Sequence, residues 1–345
     1  MPGSSHSGRA LRCSTNRNEI QAGSQRAHGE VPGDSLFAAL RSLSCSVTAV
    51  LSACLLLFGQ QAVGQDLEPR RWTVMPLGVN VVGAGYAKTR GDIFVDPVLR
   101  IEDAEVEADS LGVSYVRAFS VAGKSARFDA VLPWQSAEWD GLLDGEPATT
   151  SRVGLADPRF RLSLILSGGP ALEPAELKTY MVARPVHTIV GVGVELTVPW
   201  GEYLDDKLLN FGGNRYVIRP QIGVVHTRGQ WSYELTGSTF LFAENDDFFG
   251  GSKLEQDPLY ALQTHAIRVF KPGLWASLSA GYGWGGRYKL DGQRRNERAN
   301  FLAALSFGFP IGRRQGVKVA YLRSETREDT GSDSDSLIVA WSMRY

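Results

Sequence analysis

The last eleven residues of the chain, Asp335 to Tyr345, read D-S-L-I-V-A-W-S-M-R-Y and form a strand with one apolar face. That face carries Leu337, Val339, Trp341, Met343 and Tyr345. A terminal strand that runs to an aromatic last residue is typical of a membrane barrel, in which no strand edge stays unpaired. We therefore predict an all-β fold, a transmembrane antiparallel up-and-down β-barrel. We also expect the barrel-assembly machinery to be a partner, through the C-terminal strand ending in Tyr345.

The start of the chain predicts a secretory signal peptide. Arg41 supplies positive charge, residues 47–58 form a twelve-residue apolar run, and residues 62–64 are the small residues that signal peptidase prefers. The apolar run is shorter than the roughly 20 residues that a membrane-spanning helix needs. We assign 1–64 to a leading extension and secretory signal peptide, and 65–345 to an outer-membrane β-barrel. Residues 1–40 are either an unusually long extension or the product of a start codon placed too early.

The cysteines agree with this division. All three, Cys13, Cys45 and Cys54, lie in the predicted leader, so disulfides and thiolate chemistry are excluded from the predicted mature chain. The sequence L-S-A-C ending at Cys54 also matches a lipoprotein-type box, in which Cys54 would be acylated. Because the apolar run continues past Cys54, an ordinary signal peptide is the favoured alternative.

Segments with a period of two residues recur along the mature chain at the length of barrel strands. Twelve candidate strands lie near residues 76–88, 111–121, 126–136, 157–167, 186–199, 215–226, 229–242, 259–270, 273–287, 298–309, 315–324 and 335–345. Their number is even, as a closed single-chain barrel requires. The average composition alone would also fit a soluble β-sandwich.

The connections between these strands alternate in length. Four are short, at 121–125, 227–228, 271–272 and 310–314; the longer ones lie near 89–110, 137–156, 200–214, 243–258, 288–297 and 325–334. This asymmetry predicts short periplasmic turns, long external loops and both termini in the periplasm. The stretch 167–185 is long where a short turn is expected, and it contains a candidate small helix at 174–178.

The two faces of the strands differ in polarity. One face of the tenth strand is apolar from Phe301 to Phe309, and one face of the ninth from Leu274 to Trp284; we expect both to contact outer-membrane lipid. A charge on the lipid-facing wall at the midplane costs about 2–4 kcal/mol, so the charged faces are predicted to point inward. The lumen-lining candidates are Arg127, Asp129, Arg159, Arg161, Glu195, Arg215, Arg219, Glu234 and Lys318.

Composition and motifs argue against several other functions. The leader takes five of the 36 basic and three of the 37 acidic residues, which leaves a mature net charge of about −3 and no basic surface for nucleic acid. No histidine of the mature chain has a second His or Cys at a metal-binding spacing, so no metal and no cofactor is predicted. Asp246 and Asp247 are oxygen ligands that calcium accepts, but a solvated external loop is the favoured interpretation.

Enzyme motifs are weak, and we predict that the protein is not an enzyme. The G-D-S-L sequence at 33–36 precedes the signal sequence, and the glycines at 281, 283 and 286 lie within a strand rather than in a nucleotide-binding loop. His265, with Gln263 and a serine such as Ser277, is the one candidate for a catalytic group in a barrel wall, as in outer-membrane phospholipases.

Several stretches resemble a known family. They include G-L-A-D-P at 154–158, N-F-G-G-N-R-Y-V-I-R-P-Q-I-G from Asn210, F-A-E-N-D-D-F-F-G-G from Phe242, and G-L-W-A-S-L-S-A-G-Y-G-W-G-G from Gly273. The chain resembles the outer-membrane proteins named for transport in the meta-pathway of phenol degradation, over roughly 115–345. The resemblance implies passive passage of small, often aromatic or apolar, compounds across the outer membrane. It carries no catalytic signature and assigns no binding residue.

Together these features predict a channel or facilitator in the outer membrane of a Gram-negative bacterium, for passive uptake of a small-molecule solute. Five lumenal arginines, at 127, 159, 161, 215 and 219, are our candidates for tuning selectivity toward anionic or hydroxylated aromatics. The alternative is that they brace the wall by pairing with Asp129, Glu195 and Glu234. Two other functions stay open: a lipase-like barrel enzyme, and a structural or adhesion barrel without transport.

Overall fold

The computed structural model describes residues 67–94, 101–207, 210–294 and 297–345. The predicted leader at 1–64, with its signal peptide and all three cysteines, lies outside the described residues. In chain order the elements are β1 (Asn80–Phe94), β2 (Ile101–Val121), β3 (Lys124–Leu143), β4 (Glu146–Leu155), β5 (Arg159–Ser167), α1 (Pro174–Val182), β6 (Val186–Thr197), β7 (Val217–Arg228), β8 (Trp231–Phe242), β9 (Asn245–Phe248), β10 (Ser252–Gln256), β11 (Leu259–Lys271), β12 (Leu274–Gly285), β13 (Tyr288–Leu290), β14 (Gln293–Arg294), β15 (Arg298–Pro310), β16 (Gln315–Thr326) and β17 (Gly331–Arg344).

Twelve of these strands form one closed antiparallel barrel. Each pairs with the next in the order β1, β2, β3, β5, β6, β7, β8, β11, β12, β15, β16 and β17. The ring closes between β1 and β17, whose register runs from Val81 opposite Arg344 to Phe94 opposite Gly331. The predicted all-β barrel of twelve strands is confirmed, and each predicted strand overlaps one of these strands.

The outward face of the wall is apolar and exposed, whereas the inward face is small, polar or charged. Leu278 on β12 and Leu305 on β15 lie opposite each other in the register, with 61% and 60% of their surface exposed. Their sequence neighbours Ser277, Ser279 and Ser306 are buried. Exposed leucines belong in lipid rather than in water, so the alternation confirms the lipid-facing side predicted for these two strands.

Tyrosines mark the outer edge of the apolar belt. Tyr321 on β16 donates a hydrogen bond from its hydroxyl to Asp335 on β17, and Tyr86 on β1 donates to Asp109 on β2. A ring in the acyl region with its hydroxyl turned toward water is the arrangement that places tyrosine at a membrane interface. Beyond this level, the outward face is charged.

Several strands continue past that edge, where the sequence predicts loops. β2 begins at Ile101, so most of the predicted loop at 89–110 is strand, and the predicted loop at 137–156 is a hairpin of β3 and β4. The outward face of β2 is acidic here, with Glu105, Glu107 and Asp109 in place of apolar residues. The strand therefore continues beyond the membrane with the same inward and outward alternation of side chains. Its outward face is no longer apolar there, and the strand predictions were based on an apolar face.

The long stretch between β5 and β6 covers the end of the barrel that has the short turns and is predicted to be periplasmic; it is here called the periplasmic end, and the opposite end the external end. The small helix predicted at 174–178 is present as α1, which starts at a proline, as first turns often do. Leu177 of α1 is buried and packs in one apolar cluster with Trp72 and Val74, which precede β1. Among the described residues, no helix is long and apolar enough to cross a membrane.

A second, smaller sheet lies at the external end. It consists of β9, β10, β13 and β14, which come from the external connections after β8 and β12. Phe248, Leu254 and Tyr288 form its buried apolar cluster. These external connections are therefore folded into a small sheet with its own apolar core.

A charge on the outward face tests the lipid-facing assignment. We expect Leu278→Arg to lower the free energy of unfolding by about 2–4 kcal/mol, because the guanidinium would enter the hydrocarbon region. The measurement is urea unfolding in lipid vesicles, followed by tryptophan fluorescence. Leu278→Phe is the control and should cost much less; equal stability of the two variants would contradict the assignment.

Candidate functional site

The barrel lumen holds a piece of the chain that precedes the wall. Residues 67–78, here called the N-terminal segment, run inside the barrel before β1 begins. Trp72 is the centre of this segment: it is 1% exposed, and its indole Nε1 donates to Thr236 Oγ1 of β8 at 2.8 Å. The segment therefore fills part of the interior that the closed wall encloses.

Two glycines of the wall make room for Trp72. A Cβ atom on Gly223 of β7 would overlap the indole nitrogen of Trp72, and one on Gly191 of β6 would overlap the far edge of the ring. These glycines are opposite each other in the β6–β7 register. The absence of side chains at this pair creates the slot in which the indole lies.

Polar contacts hold the N-terminal segment on both sides of Trp72. Glu68 Oε2 accepts from Arg161 Nη1 of β5 at 3.0 Å and lies 2.9 Å from Nη2 of Arg71. Arg71 Nη1 donates to Gln221 of β7 at 2.7 Å, and the backbone N–H of Arg70 donates to Glu234 of β8 at 2.9 Å. The segment is thus attached to three strands of the wall, β5, β7 and β8.

Five of the predicted lumenal residues form one row of alternating charge across β3, β5, β6 and β7. The register places Asp129 beside Arg161, Arg161 beside Glu195, and Glu195 beside Arg219. Arg161 Nη2 lies 3.1 Å from Asp129, and Arg219 Nη1 lies 3.5 Å from Glu195. Arg127 extends the row, because its Nε donates to Asp129 at 2.9 Å. Buried charges are tolerated when they are paired in this way.

The other predicted residues lie elsewhere in the lumen. Glu234 binds the N-terminal segment, as described above. Arg215 lies near the external end, where it donates to Gln256 and its guanidinium lies 4.6 Å from the ring centroid of Phe242. Arg159 and Lys318 face a cavity on the opposite side of the barrel from the Trp72 slot.

That cavity has a volume of about 790 Å³ and lies between the N-terminal segment and the wall. Small inward residues of β1, β2, β16 and β17 leave it open: Gly83, Gly85, Ala87, Gly112, Gly316 and Ala340. Arg127, Arg159 and Lys318 supply positive charge at its surface, and Trp275 supplies an aromatic ring. For Lys318, the described residues provide no carboxylate within ion-pair distance.

Sequence reasoning did not identify the N-terminal segment as part of the lumen. Glu68, Arg71 and Trp72 lie in a short stretch without a period of two, so no pattern distinguishes it from an ordinary linker. Gly191 and Gly223 were visible only as glycines within strands. The paired glycines in adjacent strands are a signal for close approach of another group, but the sequence alone does not tell which group.

The G-L-A-D-P motif has a structural role. Asp157 follows β4, and its carboxylate accepts backbone N–H bonds from Gly201 at 2.8 Å and Gly213 at 2.7 Å. Burial raises the pKa of Asp157 above its ordinary value, and these two donors offset part of the rise. The carboxylate thus holds Gly201 and Gly213 in place. It links the G-L-A-D-P stretch to the second family-like stretch, which begins at Asn210.

His265 contacts a serine other than the one suggested by sequence. Its Nδ1 lies 2.8 Å from Ser279 Oγ, and both residues face the lumen with 2% and 1% of their surface exposed. The register also places His265 opposite Glu234. Glu234 is bound to the backbone of the N-terminal segment, so this row contributes to packing beneath that segment.

The acidic pair at 246–247 lies in β9, next to a lysine of β10. In the described ranges, no three His, Cys, Asp or Glu side chains are placed to hold a metal ion. Asp246 instead lies 3.7 Å from Lys253, whose amine also contacts Glu244 and Glu255. The loop acids therefore surround a lysine.

Comparison with known proteins agrees with this architecture. The family described as "Putative MetA-pathway of phenol degradation" matches residues 96–335. The chain belongs to this family. Among solved structures, this family member is similar to an outer-membrane channel from Pseudomonas putida F1, with 19% identity, 81% of this chain and 100% of that chain covered, and a TM-score of 0.67.

The transport unit of the autotransporter AIDA-I from Escherichia coli is more distant, with 8% identity, 87% and 97% of the two chains covered, and a TM-score of 0.49. No curated protein matches the chain. The family, the closed barrel and its apolar belt locate this family member in the outer membrane of a Gram-negative bacterium.

The Trp72 slot makes a testable prediction. We expect Gly223→Ala to push Trp72 out of its slot and release the N-terminal segment, because the added methyl group would occupy the position of the indole. Trypsin should then cut faster at Arg70 and Arg71, and the barrel should conduct more ions. Gly237→Ala is the control, since an added Cβ there meets only a methyl group at 3.9 Å; equal trypsin sensitivity of both variants would refute the slot.

The charge row makes a second prediction. We expect Arg161→Ala to lower the free energy of unfolding by about 3–5 kcal/mol, because it leaves Glu68, Asp129 and Glu195 without their shared partner. Urea unfolding in vesicles measures the loss. Arg90→Ala is the control: this arginine is 72% exposed, so its pair with Glu107 is worth little. A similar small loss in both variants would argue against a bracing role.

Proposed function

We propose that the protein is an outer-membrane channel for passive passage of small solutes. The observation that carries the proposal is the cavity beside the N-terminal segment, which leaves part of the lumen unfilled along β1, β2, β16 and β17. Family membership and a fold shared with a bacterial outer-membrane channel support it. The proposed mechanism is diffusion down a gradient, with the cavity as part of the path.

The lining of the cavity favours solutes that combine an apolar body with an anionic or hydroxyl group. Trp275 and Met75 offer apolar surface, whereas Lys318 and Arg159 offer positive charge on the same cavity. An aromatic acid or a phenol has both features, and the name of the family supports this solute class. A cavity of this size accommodates a single-ring compound but not a folded peptide.

We further propose a division of labour among the lumenal charges. The row from Asp129 to Arg219 braces β3, β5, β6 and β7 and anchors Glu68, so its charges are already compensated. Lys318, on the open side, is then the residue that acts on the solute. This proposal combines the two roles that the sequence left open for the arginines and assigns them to different positions.

Planar-bilayer recording of refolded residues 65–345 tests the channel proposal. We expect a small conductance that increases when the N-terminal segment is displaced by Gly223→Ala. Uptake of a single-ring aromatic acid into proteoliposomes should exceed uptake of a neutral sugar of similar mass. Absence of both conductance and uptake, with the barrel folded, would reject transport and favour a structural or adhesion role.

Replacing Lys318 tests the solute-facing side. We expect Lys318→Ala to shift the reversal potential in a salt gradient toward lower anion selectivity, because a positive charge is removed from the passage. The melting temperature should change little, since no ion pair is broken. Lys318→Arg is the control and should keep the selectivity; an unchanged reversal potential in the alanine variant would exclude Lys318 from the solute path.

A further inference from the structure

The periplasmic end of the barrel is rich in basic residues. Ten exposed basic residues lie at the periplasmic end: Arg117, Lys124, Lys178, Arg184, Arg228, Arg268, Lys271, Arg313, Arg314 and Arg344. The acids in the turns there are Glu173 and Glu176, both on or next to α1. Among the described residues, none of the ten is within ion-pair distance of a carboxylate. This end therefore presents uncompensated positive charge to its surroundings.

Three of the residues at this end form an ordered row on the outward face. Trp231 on β8 lies opposite Arg228 of β7 on one side and opposite Arg268 of β11 on the other. All three are exposed, and the Arg268 guanidinium lies 5.5 Å from the Trp231 ring centroid and 5.2 Å from that of Phe270. Two arginines thus flank one tryptophan in the register of the sheet, and the guanidinium of Arg268 lies over its ring.

The row lies at the depth of lipid headgroups. The outward residues Tyr233 and Leu235 continue the apolar belt from Trp231 toward the membrane centre, and Trp231 stacks on Tyr233 at 6.3 Å between centroids. Leu235 is four residues from Trp231, or about 13 Å at the usual rise of a strand. Tryptophan at this position is typical of the membrane interface, so the neighbouring arginines meet the headgroup region.

We propose that Arg228, Trp231 and Arg268 bind the headgroup of an anionic phospholipid in the inner leaflet of the outer membrane. Each guanidinium donates paired hydrogen bonds to phosphate oxygens, and the phosphodiester between them is compensated on two sides. The indole lies against the glycerol backbone and the first acyl carbons. Because the row faces outward, flush with the belt, lipid is the molecule that surrounds it.

Native mass spectrometry of the refolded residues 65–345 in detergent tests this site. The probes are phosphatidylglycerol, phosphatidylcholine and inorganic phosphate, added at equal concentrations. We expect the barrel to retain phosphatidylglycerol in preference to phosphatidylcholine. The double variant Arg228→Gln/Arg268→Gln should lower that retention roughly tenfold or more. Resistance of the folded band to SDS at room temperature confirms that each variant is folded.

Two further variants separate a site from general charge effects. Arg228→Lys/Arg268→Lys keeps the charge and should retain more lipid than the glutamine variant. Arg90→Gln removes an exposed outward arginine at the opposite end and should leave retention unchanged. Equal retention of the two lipids, an equal loss in Arg90→Gln, or displacement of the lipid by the same concentration of inorganic phosphate would each overturn the proposal.

Discussion

The pairing of β1 with β17 is the constraint on which the rest of the structure depends. In hydrocarbon, an unpaired backbone N–H or C=O group has no water to bind, so a sheet survives there only when its first and last strands meet. The register between these strands is continuous from Val81–Arg344 to Phe94–Gly331. Closure in turn divides every strand into a lipid face and a lumenal face, and each polar side chain of the wall must find its partner inside.

The two halves of the lumen differ in how fully they are packed, and this difference creates the candidate site. On β5 to β8 several inward residues are large and charged; they pair with one another and with Glu68 and Arg71, and Trp72 fills the space that Gly191 and Gly223 leave. On β1, β2, β16 and β17 most inward residues beside the cavity are small, and the cavity separates them from the N-terminal segment. One half of the lumen is therefore packed like a protein core, while the other half keeps the cavity.

Most of the wall could be predicted from sequence, because lipid imposes one rule on every strand. The rule fails where lipid ends: Glu105, Glu107 and Asp109 continue a strand that was predicted as a loop, since water accepts acids on the same face that carries Leu111 within the membrane. The candidate site was harder to predict from the sequence than the wall. Asp129, Arg161 and Glu195 were predicted to face inward, but Glu68, which pairs with Arg161, lies in a segment without periodicity, and long-range contacts of such segments leave no local pattern.

The difference between paired and unpaired lumenal charges affects how the channel would select its solute. A charge that already has a partner in a rigid row, such as Arg161 between Asp129 and Glu195, gives little electrostatic attraction to a passing anion, because the field of each group is largely cancelled by the next. An amine without a neighbouring carboxylate keeps its field. Within the part of the chain that the structure describes, Lys318 on the small-residue side is such a group. Selectivity in this barrel would thus depend less on the number of lumenal cations than on which of them the wall has left uncompensated.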